Sequence, residues 1–172
     1  MKEIVVVKYD PDWPRIFFSE SKILKTCLGS MVNEIHHIGS TAVEGLLSKP
    51  VIDILIEVNS FEELDRERCV NQLSELGYIA KGENGIPNRR YYYKGRQRRT
   101  HQLHVYISGN GNIERHLAFR DYLRAHKKWA DEYAKVKLDA ASRCNNNAEQ
   151  YVQLKSEFVK THVRLALMYK RR

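Results

Sequence analysis

The alternation of apolar and polar positions predicts strands in the first two thirds of the chain. A helix is predicted for Arg15–Leu28, because apolar residues recur there at helical spacing, Pro14 suits its first turn and Gly29 follows it. Short β-branched and apolar runs between turn-forming residues predict strands at Ile4–Val7, Val32–Ile38, Val51–Val58, Tyr78–Lys81, Arg90–Lys94 and Leu103–Ile107.

Two further features complete the predicted fold. Ser60 and Glu63 have the spacing of a capping box, which predicts a second helix that ends near Leu76. After Asn112 the pattern is helical throughout, with helices predicted at Ile113–Ala125, about Lys127–Cys144 and about Ala148–Tyr169. No repeat or linker interrupts the chain, so a single domain over residues 1–172 is expected. Its predicted class is α+β, a mixed β-sheet with a helical C-terminal layer.

Composition indicates the class of protein and the cellular compartment to expect. Hydrophobic residues make up 42% and charged residues 29%, which are ordinary values for a globular protein. The longest apolar run, Val51–Val58, contains Asp53 and Glu57 and is far shorter than the roughly 20 residues of a membrane span. The first residues lack the features of a secretory signal, so a soluble cytoplasmic protein with no membrane partner is expected.

The cysteine pattern argues against two kinds of site, whereas the charge pattern indicates a surface that attracts anions. The three cysteines form no CxxC pair, which argues against a disulfide framework and a thiolate zinc site. The net charge of +8 is concentrated between Lys81 and Thr100, where seven basic residues accompany one acid, Glu83. This asymmetry suggests a local surface that attracts anions, with a nucleotide or phosphorylated small molecule as one possible partner and nucleic acid as another. Nucleic acid ranks lower because it rests on charge alone, and a merely solvated basic loop is the alternative.

The stretch from Gly39 to Asp53 carries the clearest chemical signal. A strand ends in Gly39-Ser40-Thr41, where small residues allow backbone N–H groups to approach an anion closely. The next strand brings the carboxylate of Asp53 into an apolar run, where it needs a hydrogen-bonding, ionic or metal partner. The alternative is structural, with Ser40 and Thr41 capping a helix and Asp53 accepting backbone hydrogen bonds.

These residues belong to a set of ordered motifs that resembles the GrpB family over nearly the whole chain. The matching runs are His37–Val43, Lys49–Ile54, Arg90–Gly95, His101–Val105 and Arg115–Arg124, and Glu44 departs from the proline usual in the family. GrpB proteins are similar in fold to the nucleotidyltransferase superfamily. In that superfamily a Gly-Ser turn, an Asp-x-Asp strand and a third acid hold two divalent cations and a nucleoside triphosphate.

The resemblance implies a catalytic and metal-binding role for Asp53, which matches the first acid. The second acid would fall at position 55, where this chain has leucine, and Glu57 lies about 13 Å along the strand from Asp53. His104 is the polar candidate at the third position. Asp53 and His104 are therefore the candidate catalytic residues and ligands of magnesium or manganese, and the missing acid argues against two-metal transfer.

A histidine–carboxylate centre is a second way to use Asp53. His101 or His104, with His36 or His37, could join the carboxylate in a site suited to zinc, manganese or iron. Residues three apart on a strand face opposite sides, so at most one of His101 and His104 can do so.

Several other residues are candidates for contact with a phosphorylated ligand. Helical spacing places His116 and Arg120 on one face of the same predicted helix, where Arg120 could hold a phosphate or pair with Asp121. Tyr91, Tyr92 and Tyr93 could form a stacking platform, although strand alternation puts one face in the core. The predicted ligand-binding set is Gly39, Ser40, Thr41, Lys49, Arg90, His116 and Arg120, with Lys155 as a weaker candidate.

Two hypotheses for the function follow from these residues. The first, which we prefer, is a nucleotidyltransferase-like enzyme, and the second is a non-catalytic nucleotide- or metal-binding module. Leu55 distinguishes them.

Overall fold

A computed structural model describes residues 4–170 and contains five strands and five α-helices within that range. The strands are β1 (Val32–Ile38), β2 (Ile52–Val58), β3 (Tyr78–Ala80), β4 (Arg90–Lys94) and β5 (His101–Ile107). The helices are α1 (Trp13–Leu28), α2 (Glu67–Glu75), α3 (Gly111–Ala125), α4 (Lys127–Arg143) and α5 (Ala148–Lys170). Single turns of 3₁₀ helix occur at Gly29–Met31 and Ser40–Ala42.

The strands form one mixed sheet in the order β1-β2-β5-β4-β3. Only β2 and β5 are parallel, and the other neighbours pair antiparallel. In this register Asp53 pairs with Ile38 on one side and with Gln102 on the other, and Leu55 pairs with His104. The mixed sheet with its C-terminal helices confirms the predicted α+β class.

Alternation along the strands separates two faces of the sheet. One face buries the main apolar cluster, in which aliphatic side chains of β2 and β5 pack with residues of α1 and α2, including Ile54, Ile56, Leu103, Val105, Leu24 and Leu73. The opposite face carries Asp53, Leu55 and His104 and lies beneath α3. We call this second face the site face.

Two regions differ from the pattern-based prediction. Ile4–Val7 forms no strand, and Val7 makes only an isolated antiparallel bridge with Ser48. The helix predicted from Ser60 begins only at Glu67, because the intervening residues form turns that direct Leu64 into the core, where it is fully buried. At this position the burial of apolar side chains outweighs the local capping preference. Within residues 4–170, no helix has the combination of length and apolar character that membrane crossing requires.

Candidate functional site

Asp53 lies directly against the turn that ends β1. Gly39 has φ +70° and ψ −171°, and a Cβ placed on it would overlap Oδ2 of Asp53 and lie 3.0 Å from both Cβ and Cγ of that side chain. The Asp53 side chain keeps 28% of its surface exposed, so its carboxylate remains accessible to a ligand. The predicted adjacency of Asp53 and the Gly39-Ser40 turn is therefore present, and only glycine permits it.

Histidines line the side of Asp53 that faces β5. Nε2 of His104 lies 3.5 Å from Oδ1 of Asp53, and the His104 ring centroid lies 5.4 Å from that of His116 in α3. Burial, reinforced by His104, lowers the pKa of His116 to about 3, so His116 is neutral at physiological pH. His101, three residues from His104, belongs to the opposite face, where it interacts electrostatically with Glu20. Only one of the two histidines reaches Asp53, as strand alternation predicts.

Two lysines, Lys49 and Lys155, interact electrostatically with Asp53, and a third, Lys137, interacts with Lys155. The Nζ atoms of Lys49 and Lys155 lie 4.7 and 4.2 Å from the centroid of the same ring, Tyr151. Lys137 is buried in α4 and donates a hydrogen bond to the Leu47 carbonyl. We call Lys49, Lys137 and Lys155 the lysine cluster.

Burial and mutual repulsion weaken the affinity of this cluster for protons. Burial lowers the pKa of Lys155 to about 8, an effect that Lys49 increases and Asp53 opposes. Burial and the charge of Lys155 lower the pKa of Lys137 to about 7. The pKa of Lys49 is also lowered by burial, with Asp53 again opposing the change. The cluster is thus an electropositive site that a bound anion would stabilise.

The acids expected for a two-metal centre are not assembled. Leu55 is fully buried and packs with Ile38, Tyr106 and Ile113. Glu57 lies further along β2, where its Oε1 is 2.9 Å from Nε2 of His36. Within residues 4–170 no group of three or more His, Cys, Asp or Glu side chains is placed to hold a metal ion.

The predicted ligand contacts divide into three groups. Thr41 is fully buried with its Oγ1 2.9 Å from Nε2 of His37, and Arg120 donates to Asp121 and to the His37 carbonyl. These side chains hold the end of β1 in place. Arg90 lies on the opposite face of the sheet, where its guanidinium forms two-pronged contacts with Asp65, so it does not reach Asp53. Gly39, Ser40, Lys49 and His116 are the candidates that gather around Asp53.

Several basic side chains of the segment at 81–100 contact other residues of the protein. Lys94 donates to the buried Glu20, while Lys81 and Arg99 lie over the ring of Tyr93. Tyr91 and Tyr92 are each 4% exposed, so these rings do not offer a free stacking platform.

Sequence reasoning gave no role to Lys137 and little weight to Lys155. Each follows a buried tyrosine by four residues, Tyr133 in α4 and Tyr151 in α5, so each lysine lies on the inward face of its helix. Burial is the main cause that raises the pKa of the Tyr133 hydroxyl. The charge of Asp53 and a hydrogen bond with Ser40 also affect this hydroxyl. A lysine at helical spacing on an apolar face was the signal that could have identified both residues.

The fold is that of the nucleotidyltransferase-like class. The structure of Cid1 in complex with its short product ApU superimposes with a TM-score of 0.53 over 80% of this chain and 43% of the Cid1 chain, at 16% identity. A crystal structure of GrpB from Enterococcus faecalis superimposes with a TM-score of 0.92 and 36% identity, covering 98% of this chain and 100% of that one.

Sequence comparison places the chain within a family. The model of the GrpB protein family matches residues 3–164, and the chain therefore belongs to the GrpB family. The UPF0157 protein YqkA of Bacillus subtilis is 44% identical over 160 residues, which make up 93% of this chain but 46% of that relative. This chain thus spans about half the length of that curated relative.

Proposed function

We propose that this protein binds a nucleotide or another phosphorylated small molecule between the Gly39-Ser40 turn, Asp53 and the lysine cluster. The observation that carries the proposal is the pair of half-buried ammonium groups, Lys49 and Lys155, on the ring of Tyr151. Neither forms an ion pair with an acidic side chain within residues 4–170. Two such cations are costly side by side unless an anion compensates them.

The chemistry of the site indicates a phosphate in particular. Phosphate oxygens accept hydrogen bonds from ammonium groups and from backbone N–H groups at a glycine-containing turn, and both kinds of group lie near Asp53. Asp53 at the rim disfavours a ligand whose negative charge is spread over its whole surface. A ligand with its charge at one end, such as a nucleotide, fits this polarity better than a uniform polyanion does.

Binding, rather than two-metal nucleotidyl transfer, is the activity that the residues support. Such transfer requires paired carboxylates, and Leu55 occupies the second position as part of an apolar cluster. The residues present do not fit a two-cation centre. Metal binding at Asp53, and any transfer reaction, stay predictions that the same experiment can address.

A thermal-shift screen tests the proposal directly. ATP, UTP, pyrophosphate and phosphate would each be added with and without magnesium, manganese or zinc. A ligand at about 100 times its Kd stabilises by about 2.7 kcal/mol, which corresponds to roughly 5–10 °C for a chain of this size. Lys155→Met should lose most of that shift, because it removes a charge-assisted hydrogen bond worth tenfold or more, on the order of 1.5–3 kcal/mol.

Lys160→Met is the matched control, since Lys160 lies on the same helix but is exposed and paired with Glu157. It should keep the full response. If no phosphorylated compound shifts the wild-type melting temperature, or if both variants respond alike, the proposal is wrong.

The lowered lysine pKa values also predict how stability depends on pH. Unfolded lysine keeps its proton to about pH 10.5, whereas folded Lys155 releases it near pH 8, so above pH 8 the unfolded chain binds more protons. Stability of the ligand-free protein should therefore rise from pH 8 to 10 relative to Lys155→Met, by about 1–3 kcal/mol. Lys155→Met also removes the repulsion that lowers the pKa of Lys137, so the stability of the variant depends still less on pH.

Urea unfolding at pH 7, 8, 9 and 10 measures this difference, and groups common to both proteins cancel. Equal slopes in the two proteins would show that Lys155 titrates as an ordinary exposed lysine. An anion bound to the cluster should reverse the pH dependence of stability, because it favours the protonated lysines. The affinity of the cluster for this anion should fall as the pH rises.

A further inference from the structure

Arg89 is a buried arginine whose position the proposed function leaves unexplained. It immediately precedes β4 and is 5% exposed. Its Nε and Nη2 atoms donate to the carbonyl of Glu83, Nη2 also donates to the carbonyl of Asn84, and the guanidinium lies 4.9 Å from the ring centroid of Tyr91. These contacts fix the guanidinium rigidly. The remaining nitrogen, Nη1, lies 3.4 Å from Nδ1 of His104.

This contact determines which nitrogen of His104 carries the proton. A guanidinium only donates hydrogen bonds, so Nδ1 must be the acceptor and Nε2 must carry the hydrogen in the neutral ring. Nε2 is the atom that faces Oδ1 of Asp53 at 3.5 Å. Both neighbours therefore favour the same tautomer. The other tautomer would set an N–H against Arg89 and a lone pair against the carboxylate, two repulsive contacts in place of two attractive ones.

We propose that Arg89 is a positioning residue that fixes His104 in the Nε2–H tautomer, so that the N–H of His104 faces Asp53 and the ring offers no lone pair to a metal ion there. The imidazole then fulfils the need of a partly buried carboxylate for a partner. Oδ2 of Asp53 lies against the Gly39 turn, while Oδ1 faces Nε2 of His104 at 3.5 Å. The proposal rests on the proposed function only in treating Asp53 as part of the ligand site.

Nitrogen NMR of the imidazole rings tests the proposal without any ligand. Long-range ¹H–¹⁵N correlation spectra of the full chain distinguish protonated from unprotonated ring nitrogens, and the signals lost in His104→Gln assign His104. We expect an unprotonated Nδ1 and a protonated Nε2 in the wild type. Zinc should leave both signals in place. A wild-type His104 protonated at Nδ1, or an Nε2 signal that shifts on zinc coordination, would overturn the proposal.

Variants of Arg89 test the cause of the tautomer. Arg89→Met should reduce the preference about tenfold or more, because it removes a charge-assisted hydrogen bond. Asp53 still favours Nε2–H in that variant, so mixed signals are expected when Arg89→Met is combined with Asp53→Ala. Arg89→Lys should restore the wild-type pattern through its ammonium donor. Arg90→Met is the matched control on the opposite face and should leave His104 unchanged. An Arg89→Met/Asp53→Ala protein that keeps a single Nε2–H tautomer, while Asp53→Ala alone does so too, contradicts the proposal; if the double variant fails to fold, the wild-type and Arg89→Lys spectra decide.

Discussion

Replacing Leu55 with aspartate is expected to destabilise the protein by about 4 kcal/mol or more, and not to create a magnesium site. Leu55 has no exposed surface and packs with Ile38, Tyr106 and Ile113. The change removes a packed side chain and introduces a carboxyl group into the apolar cluster. Since whole domains are stable by only about 5–15 kcal/mol, much of the population could unfold.

The pH dependence of this variant identifies the cause of the loss. Burial should raise the pKa of the introduced carboxyl above its unfolded value near 4, so the variant is least destabilised in acid and loses stability as the pH rises through the folded pKa. Leu55→Asn is the matched control, since it has the same shape without the titration. Urea unfolding of both variants at pH 4 to 8 measures the difference.

One outcome would reverse our preference between binding and transfer. If Leu55→Asp were as stable as the wild type and bound magnesium by calorimetry, the cleft would have room for a second acid. Position 55 would then be a vacant ligand position, and not part of the core. The burial of Leu55 predicts the opposite result.

The sequence predicted the strands that form the site better than the segments that flank it. β1, β2, β4 and β5 lie within one or two residues of their predicted bounds, because runs of β-branched side chains and flanking turns agree there. The segment after Ser60 failed because Leu64 is drawn into the core, a contact with distant residues that no local pattern contains. Tertiary packing decided that region.

The same limit applies to the site. Gly39 and Asp53 are predictable because the turn ends one strand and the carboxylate lies at the start of the neighbouring strand that pairs with it. Lys137 and Lys155 come from helices about a hundred residues away, and their spacing shows only which helix face they occupy. Arg90 was chosen for its charge, but strand alternation and Asp65 place it on the other face of the sheet. Residue type alone does not determine which face of the fold a charge serves.

Gly39→Ala is expected to affect both stability and ligand binding strongly. Alanine would be strained at φ +70°, and its Cβ would overlap Oδ2 of Asp53. Relief requires the Asp53 side chain or the turn to move, which displaces the groups that would contact the ligand. We expect a loss of about 2–4 kcal/mol in the free energy of unfolding and loss of the thermal response to phosphorylated ligands.

Gly45→Ala separates the two causes. Gly45 has φ +76°, so alanine meets similar backbone strain, but nothing lies within 4 Å of the position that its Cβ would take. This variant should lose only about 1–2 kcal/mol and should keep its ligand response, since strain at a single residue of this kind costs on that order. Urea unfolding and the same thermal-shift series measure both effects. Equal losses in the two variants, with ligand response retained in Gly39→Ala, would mean that close contact between Gly39 and Asp53 is unnecessary for binding. A larger loss at Gly39, with the ligand response abolished there alone, is the result that the geometry of the turn requires.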